Sequence, residues 1–346
     1  MERKIILSVR NLNVKFRLRG KVLHAIRDIS LDVYKGESLA IVGESGSGKS
    51  VFTKTFMGLL DKNGYIESGE ILYKGKNLAA FQTEKEWLTI RGREIAMVLQ
   101  DPMTSLNPLK TIGAQIGEAI RLHQGLKGCT LKEAVIDILK DVGISEPEKR
   151  YKQYPHEFSG GMRQRVVIAI AIACRPKLLI CDEPTTALDV TIQAQILELL
   201  KSLKEKYELT TIYITHDLGV VANVADRIAV MYAGDIVEIG NCEEVFYNSK
   251  HPYTWALLSS LPQLGVKGED LYTIEGTPPS LYQEIQGDAY APRNPYALKI
   301  DFLQRPPFFK VSPTHKARTW LLDPRAPKAE PPPYIKKLRT QGGFDR

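Results

Sequence analysis

Gly43, Glu44, Ser45, Gly46, Ser47, Gly48, Lys49 and Ser50 form a Gly-x4-Gly-Lys-Ser run, the residue set of a phosphate cradle. Glycines let successive backbone N–H groups turn toward one anion, and those groups with Val51 would surround it. A lysine at this spacing can reach the β- and γ-phosphates of a nucleotide, and the Ser50 hydroxyl can ligate Mg²⁺. A second run, Leu178-Leu-Ile-Cys, ends in two carboxylates, Asp182 and Glu183. An Asp at such a strand end can hold Mg²⁺, and an adjacent Glu can act as general base toward an attacking water. Alone, an Asp-Glu pair is ordinarily a solvated turn. The phosphate cradle in the same chain favours the chemical reading.

These residues need elements to hold them. The apolar run Ser38–Val42 reads as a buried strand before the cradle, and Lys49–Leu60 as the helix after it. Further strands are expected at Ile5–Val9, Val14–Phe16, Ile29–Val33, Glu94–Leu99, Lys177–Cys181, Thr210–Thr215 and Arg227–Met231, where apolar runs are flanked by turn residues. Helical periodicity marks Ile112–Leu122, Leu131–Val142 and Gly160–Cys174. Alternating strands and helices imply α/β architecture with a mostly parallel sheet, into which residues of about 101–175 form a helical insertion. Thirteen of the twenty prolines lie beyond residue 260, so the chain changes character there. From about Pro262 a loop-rich extension is expected. Its retained Tyr, Phe and Trp residues argue that it docks rather than floats.

The 346 residues are 43% hydrophobic and 25% charged, which suits a globular chain able to bury a core without disulfides. Residues 288–346 carry twelve Lys/Arg against five Asp/Glu, which accounts for the whole net charge of +7. The preceding residues are therefore neutral overall, so a nucleic-acid partner is not expected. Cys129, Cys174, Cys181 and Cys242 lie far apart without a Cys-x-x-Cys pair, and read as reduced, mostly buried thiols. The opening MERKIILSVR lacks a long apolar stretch, so no secretory signal is expected, and the apolar run Val166–Cys174 is too short to span a bilayer.

Phe158-Ser159-Gly160-Gly161-Met162-Arg-Gln-Arg165 resembles the signature sequence of the ATP-binding-cassette family. Read physically, Ser159, Gly160 and Gly161 open a helix whose donors could grip a γ-phosphate. The resemblance implies head-to-tail pairing of two cassettes with each ATP sandwiched between them. Further elements are similar in order. Gln100 heads a segment resembling the glutamine loop, which contacts Mg²⁺ and water and receives a membrane subunit. Ala187-Leu188-Asp189 resembles the loop that crosses the dimer interface. His216 matches the histidine that contacts the γ-phosphate, and Phe16 lies where the family places the aromatic that stacks on adenine, with a core role equally open. The implied fold is a P-loop (RecA-like) core with a small antiparallel β subdomain, a helical signature subdomain and the proline-rich extension. Cassette and extension divide at 262/263. The implied activity is hydrolysis of ATP with Mg²⁺.

Three stretches narrow the resemblance: Gln100-Asp-Pro-Met-Thr-Ser-Leu-Asn-Pro, the signature with Tyr154-Pro-His-Glu before it, and His251-Pro-Tyr-Thr254 with Leu257-Leu258. They resemble the oligopeptide/dipeptide/nickel importers, and Met162 with Cys174-Arg-Pro176 resembles the D-type subunit. That implies an F-type second cassette as heterodimer partner, two permeases, an extracellular solute-binding protein, and a peripheral place on the cytoplasmic face of the membrane. The same role in an oligosaccharide importer stays open, as does a soluble non-transport cassette, although no long insertion or duplicated cassette is present. Many relatives that this extension resembles hold four cysteines, some around an iron–sulfur cluster. Here the framework residues Ala291-Pro-Arg293, Pro295-Tyr296-Ala297, Pro306-Pro307 and His315 surround Asp288, Asn294, Asp301 and Thr319 at the matching positions. No iron–sulfur cluster is therefore expected, since such clusters need thiolates. An extension held by proline-limited loops and aromatic burial, with polar contacts among these four, is expected instead.

Overall fold

In chain order the strands are β1 (Ile5–Leu18), β2 (Lys21–Tyr34), β3 (Ser38–Val42), β4 (Gly64–Tyr73), β5 (Lys76–Asn77), β6 (Ile95–Val98), β7 (Leu178–Asp182) and β8 (Thr210–Thr215). They continue as β9 (Arg227–Tyr232), β10 (Asp235–Asn241), β11 (Phe309–Lys310) and β12 (Lys316–Ala317). The structure, a computed structural model, describes residues 4–186, 188–260 and 274–344. The division at 262/263 and Ala187 lie outside the described residues. The chain forms two compact units, one built from 1–4, 34–38 and 81–214, the other from 5–33, 39–80 and 215–346.

In the first unit, β6 pairs parallel with β7 and β7 parallel with β8, in register from Ile95 opposite Leu178 to Asp182 opposite Ile214. Every residue of β7 and β8 is buried, as expected of strands covered on both faces. Three helices follow the expected insertion. Ile112–Gln124 is capped by Thr111 and buries Ile112, Ile116 and Ile120 at helical spacing. Gly128–Asp141 buries Val135, Ile138 and Leu139. Gly160–Ile172 buries residues on all sides.

The second unit holds two sheets. The antiparallel one runs β2-β1-β4-β5. Its β1–β4 register shifts between Arg10 and Asn13 and again before Val14, where Asn11 takes a left-handed φ of 46°. This is the small antiparallel subdomain, and its long β1 joins segments that the sequence separates into Ile5–Val9 and Val14–Phe16. In the other sheet β3 pairs parallel with β9, β9 antiparallel with β10, and β10 antiparallel with β12 of the C-terminal extension. The extension is thus docked by backbone pairing, and its last helix, Pro333–Gln341, buries Ile335 and Leu338.

Two expectations change. The helix after the cradle is Lys49–Thr55, ending short of Leu60. Gly58 takes φ 60° and the Leu59 N–H returns to the Lys54 carbonyl (3.0 Å), the six-to-one bond of a Schellman stop. The cysteines are also less buried than composition suggests. Cys181 is buried, Cys174 and Cys242 are intermediate, and Cys129 is exposed.

Candidate functional site: a phosphate cradle and a carboxylate-ended strand

The second unit positions the cradle. Gly43 leaves β3 with φ 156°, and a Cβ there would lie 2.1 Å from the Met231 carbonyl of β9, so the close approach requires glycine. Gly48 caps the following helix at φ 101°, where a Cβ would meet the Ala25 carbonyl at 2.9 Å. Between them Ser45 and Gly46 are exposed, while Ser47 is buried with its carbonyl accepting the Gly234 N–H (2.9 Å). Lys49 is buried, and its Nζ donates to the Gly43 and Glu44 carbonyls (2.8 Å each). The loop's own carbonyls therefore hold the ammonium beside the cradle it can serve. Ser50 and Val51 lie in the first helical turn.

His216 belongs to this unit as well. It is exposed between β8 and the helix Leu218–Val224, whose N-terminus Asp217 caps by accepting the Gly219 N–H (2.7 Å). Phe16 stands opposite Gly64 in the β1–β4 register and is only 8% exposed. A Cβ on Gly64 would fall 2.5 Å from its ring, so the glycine makes room for the aromatic.

The first unit positions the carboxylates. Asp182 closes β7 with 5% exposure. Glu183 follows in the left-handed region at φ 46°, a conformation that costs a non-glycine residue about 1–2 kcal/mol. Its N–H donates to the Ile214 carbonyl of β8 (2.9 Å). Gln100 Nε2 (2.8 Å) and Thr186 Oγ1 (2.9 Å) both donate to Glu183 Oε2. Gln100 and Glu183, 83 residues apart, are thus brought together. Together with the left-handed backbone, these two donors hold the carboxylate in one pose.

The signature residues lie in the same unit. Ser159 caps the helix Gly160–Ile172, accepting the Met162 N–H (3.4 Å). A Cβ on Gly161 would meet Ile192 at 2.8 Å, so the glycine lets the helix Val190–Tyr207 approach. Asp189 caps that second helix through the Ile192 N–H (3.0 Å). Gln164, 1% exposed, donates to the Pro184 carbonyl (2.8 Å), tying signature helix to carboxylate turn. Ser159, Gly160, Asp189 and Val190 are exposed together with these roles, and Val190 reaches 81% exposure.

Sequence reasoning missed three residues around the cradle. The Glu44 N–H donates to Tyr253 Oη (2.8 Å), and the Glu44 carboxylate receives both arms of Arg293 (2.8 and 3.1 Å), which also donates to Tyr232 Oη (3.2 Å). In the sequence Tyr253 belongs to a stretch that narrows the family and Arg293 to the framework of the extension. No spacing signal could link Arg293 to Glu44, 249 positions earlier.

The four polar positions of the extension, Asp288, Asn294, Asp301 and Thr319, are all buried. Their side-chain oxygens accept backbone N–H groups: Tyr290 to Asp288 (3.0 Å), Tyr296 to Asn294 (3.0 Å), Leu298 to Asp301 (2.6 Å) and Leu321 to Thr319 (3.3 Å). The four side chains thus bond local backbone, each stabilising a turn, while one contact joins two of the expected positions, the Asp288 N–H donating to the Asp301 carbonyl (2.7 Å). Ser50 in one unit, and Gln100 and Asp182 in the other, each carry an oxygen donor of the kind that suits a hard cation such as Mg²⁺. Among the described residues no group of three His, Cys, Asp or Glu could hold a metal.

A glycine-rich loop between strand and helix, with a parallel strand ending in Asp-Glu, defines a P-loop nucleotide hydrolase. Residues 26–186 match the family described as ABC transporter, and residues 237–300 match the oligopeptide/dipeptide transporter C-terminal region. The chain is 59% identical, over 99% of its length and 98% of the relative's, to the oligopeptide transport ATP-binding protein AmiE of Streptococcus pneumoniae. It is 56% identical to the oligopeptide transport ATP-binding protein OppD of Bacillus subtilis, over 96% of this chain and 94% of that one. Among solved structures it resembles the dimeric post-hydrolysis state of the ATP-binding cassette MJ0796 bound to ADP and phosphate. There the TM-score is 0.61 and the identity 26%, covering 68% of this chain and 98% of that one. The chain belongs to the ATP-binding-cassette transporter family, as an ATPase subunit of its oligopeptide/dipeptide branch. Among the described residues no helix is long and apolar enough to cross a membrane.

Proposed function

We propose that this chain hydrolyses ATP to drive import of short peptides through two permease subunits, at the cytoplasmic face of the membrane. An F-type cassette partners it, and an extracellular binding protein delivers the solute. The observation that carries this reading is the near full-length identity to AmiE, which includes the C-terminal region as well as the cassette. In this reading the backbone of Gly43–Val51 and Lys49 bind the phosphates, Phe16 supports adenine, and His216 contacts the γ-phosphate. Ser50, Gln100 and Asp182 would hold Mg²⁺, which neutralises phosphate charge when bound. Glu183, oriented by Gln100 and Thr186, takes the proton of the attacking water. Ser159, Gly160, Gly161 and Asp189 serve the partner cassette's nucleotide, which agrees with the exposure of Ser159, Gly160 and Asp189.

The test is reconstitution of the four-subunit complex in liposomes with its binding protein. ATP hydrolysis should rise when the binding protein carries peptide and stay basal when an oligosaccharide is offered. The isolated chain should hydrolyse ATP slowly, because its own signature cannot complete its own site. Peptide-independent turnover in the full complex would overturn the transport reading.

A further inference from the structure

The cradle's second residue, Glu44, occupies a position where the Gly-x4-Gly-Lys-Ser pattern asks for no particular side chain, yet every polar group of it is held. Its N–H goes to Tyr253 Oη (2.8 Å) and its carbonyl takes Lys49 Nζ (2.8 Å). Its carboxylate takes the guanidinium fork of Arg293, Nη1 to Oε2 at 2.8 Å and Nη2 to Oε1 at 3.1 Å. Arg293 is itself fixed. Its side chain is 5% exposed, its Nε donates to the Glu275 carbonyl (2.9 Å), its Nη2 to the Ile274 carbonyl (3.3 Å) and its Nη1 to Tyr232 Oη (3.2 Å). Tyr232, Tyr253 and Tyr290 pack ring against ring behind it, with centroids 4.5–5.3 Å apart. A shielded, bidentate Arg–carboxylate pair is the geometrically specific form of the ion pair, one that lysine cannot reproduce.

We propose that Arg293 is a positioning residue for the phosphate cradle, through which the C-terminal extension sets the chain's affinity for nucleoside di- and triphosphates. The pair fixes the Glu44 side chain while Tyr253 holds its N–H and Lys49 its carbonyl, so the loop's N–H groups need not be ordered when phosphate arrives. Ordering done in advance appears as affinity. The inference rests on reading Gly43–Ser50 as the phosphate site, and adds that an element outside the cassette core controls it.

The test is calorimetric titration of the full chain with a non-hydrolysable ATP analogue and Mg²⁺, beside melting of the nucleotide-free protein. Arg293→Ala should weaken binding about tenfold, the scale of one charge-assisted hydrogen-bonded pair. Arg293→Lys should recover only part of that. Glu44→Gln should weaken binding similarly, and the double variant no further, because both changes break one pair. Arg305→Gln is the control. It loosens the same extension at Asp28 and Asp235 without bonding to Glu44, and should lower the melting temperature while leaving affinity within about twofold. If Arg293→Ala does not fold, Arg293→Lys and Glu44→Gln carry the test. Unchanged affinity in the Arg293 and Glu44 variants, or equal losses in Arg305→Gln, would overturn the proposal. An unsubstituted chain that binds no nucleotide would instead sink the phosphate-site reading beneath it.

Discussion

Two glutamates, one in each compact unit, show how the same side chain is put to opposite uses. Glu44 is clamped by a guanidinium on both oxygens, with its N–H on a tyrosine. Glu183 sits at a left-handed φ of 46° and receives a neutral amide and a neutral hydroxyl on one oxygen. The first arrangement neutralises a carboxylate and turns it into a fastener. The second holds it in one orientation through a left-handed backbone and two side-chain donors. Neutral donors at Glu44 would hold the loop less tightly than the guanidinium does. Which donor faces the carboxylate decides which role it has.

The largest expected effect breaks the second arrangement. Glu183→Gln should retain ATP binding and lower hydrolysis roughly 100-fold or more in the assembled transporter, the scale of a lost general base. It should also accumulate the ATP-bound dimer, visible by gel filtration with Mg²⁺–ATP, because closure needs no base. Near-normal turnover would show that Glu183 is a structural turn residue like the many others at positive φ. Glu44→Gln should act on affinity instead, and the contrast between the two variants is the sharpest check on the comparison.

Most of this was legible where a local pattern has one physical solution. Ser38–Val42 is a strand in the structure as in the sequence, since five buried residues before a glycine-rich turn leave few alternatives. The same holds for Thr210–Thr215. By contrast β10 went unread because Asp235 and Glu238 interrupt its apolar run, although both are buried. Their charges are met by Arg305 and His315, seventy or more positions later, and no window reveals that. The helix Val190–Tyr207 also went unread, despite an apolar stripe at Ile196, Leu199, Leu200 and Leu203, because its β-branched first turn masks the start that Asp189 caps. Motif positions survive in sequence because their chemistry is local. The Arg293 clamp does not, because its parts meet only after the extension docks.

The next effect tests whether the extension is pinned firmly enough to act as a fastener. His315 Nε2 lies 2.7 Å from Glu238 Oε1, and both side chains are fully buried. Burial works to raise the Glu238 pKa, but the His315 bond, helped by the Lys250 N–H, outweighs it and holds the carboxyl below its ordinary range. A depressed carboxylate adds stability that is present above its unfolded pKa and lost as pH falls through the folded one. His315→Ala should cost about 1–3 kcal/mol in denaturant unfolding near neutral pH, the penalty of leaving a buried group short of a partner. The loss is limited because Glu238 keeps the Lys250 (2.6 Å) and His251 (3.1 Å) N–H groups. No change in midpoint would mean that the strand pairing alone docks the extension.

The smallest effect has the opposite sign with pH. Asp288 is pushed up to about 7, first by burial and then by the nearby Asp301 and Asp235 carboxylates, against the pull of the Tyr290 N–H and Arg27. Across from it stands His251 Nε2, 3.9 Å from Asp288 Oδ2, and burial drives that imidazole down to about 4, so it offers no compensating charge near neutrality. The folded chain therefore keeps a proton on Asp288 that the unfolded chain releases at ordinary carboxyl pH. A raised carboxyl contributes stability that is complete below its unfolded pKa and disappears as pH rises through its folded one. Between about pH 5 and about pH 7 this group alone imposes a slope of at most about 1.4 kcal/mol per pH unit, the limit for one proton. Asp288→Asn removes the titration and keeps the Oδ1 that accepts the Tyr290 N–H. Its stability advantage over the unsubstituted chain should therefore grow with pH, by about 1 kcal/mol in total once solvent relaxation is allowed for. The measurement is paired denaturant unfolding at several pH values. A constant difference between the two proteins would place the Asp288 proton elsewhere, and an advantage that shrinks with pH would reverse the sign of the argument.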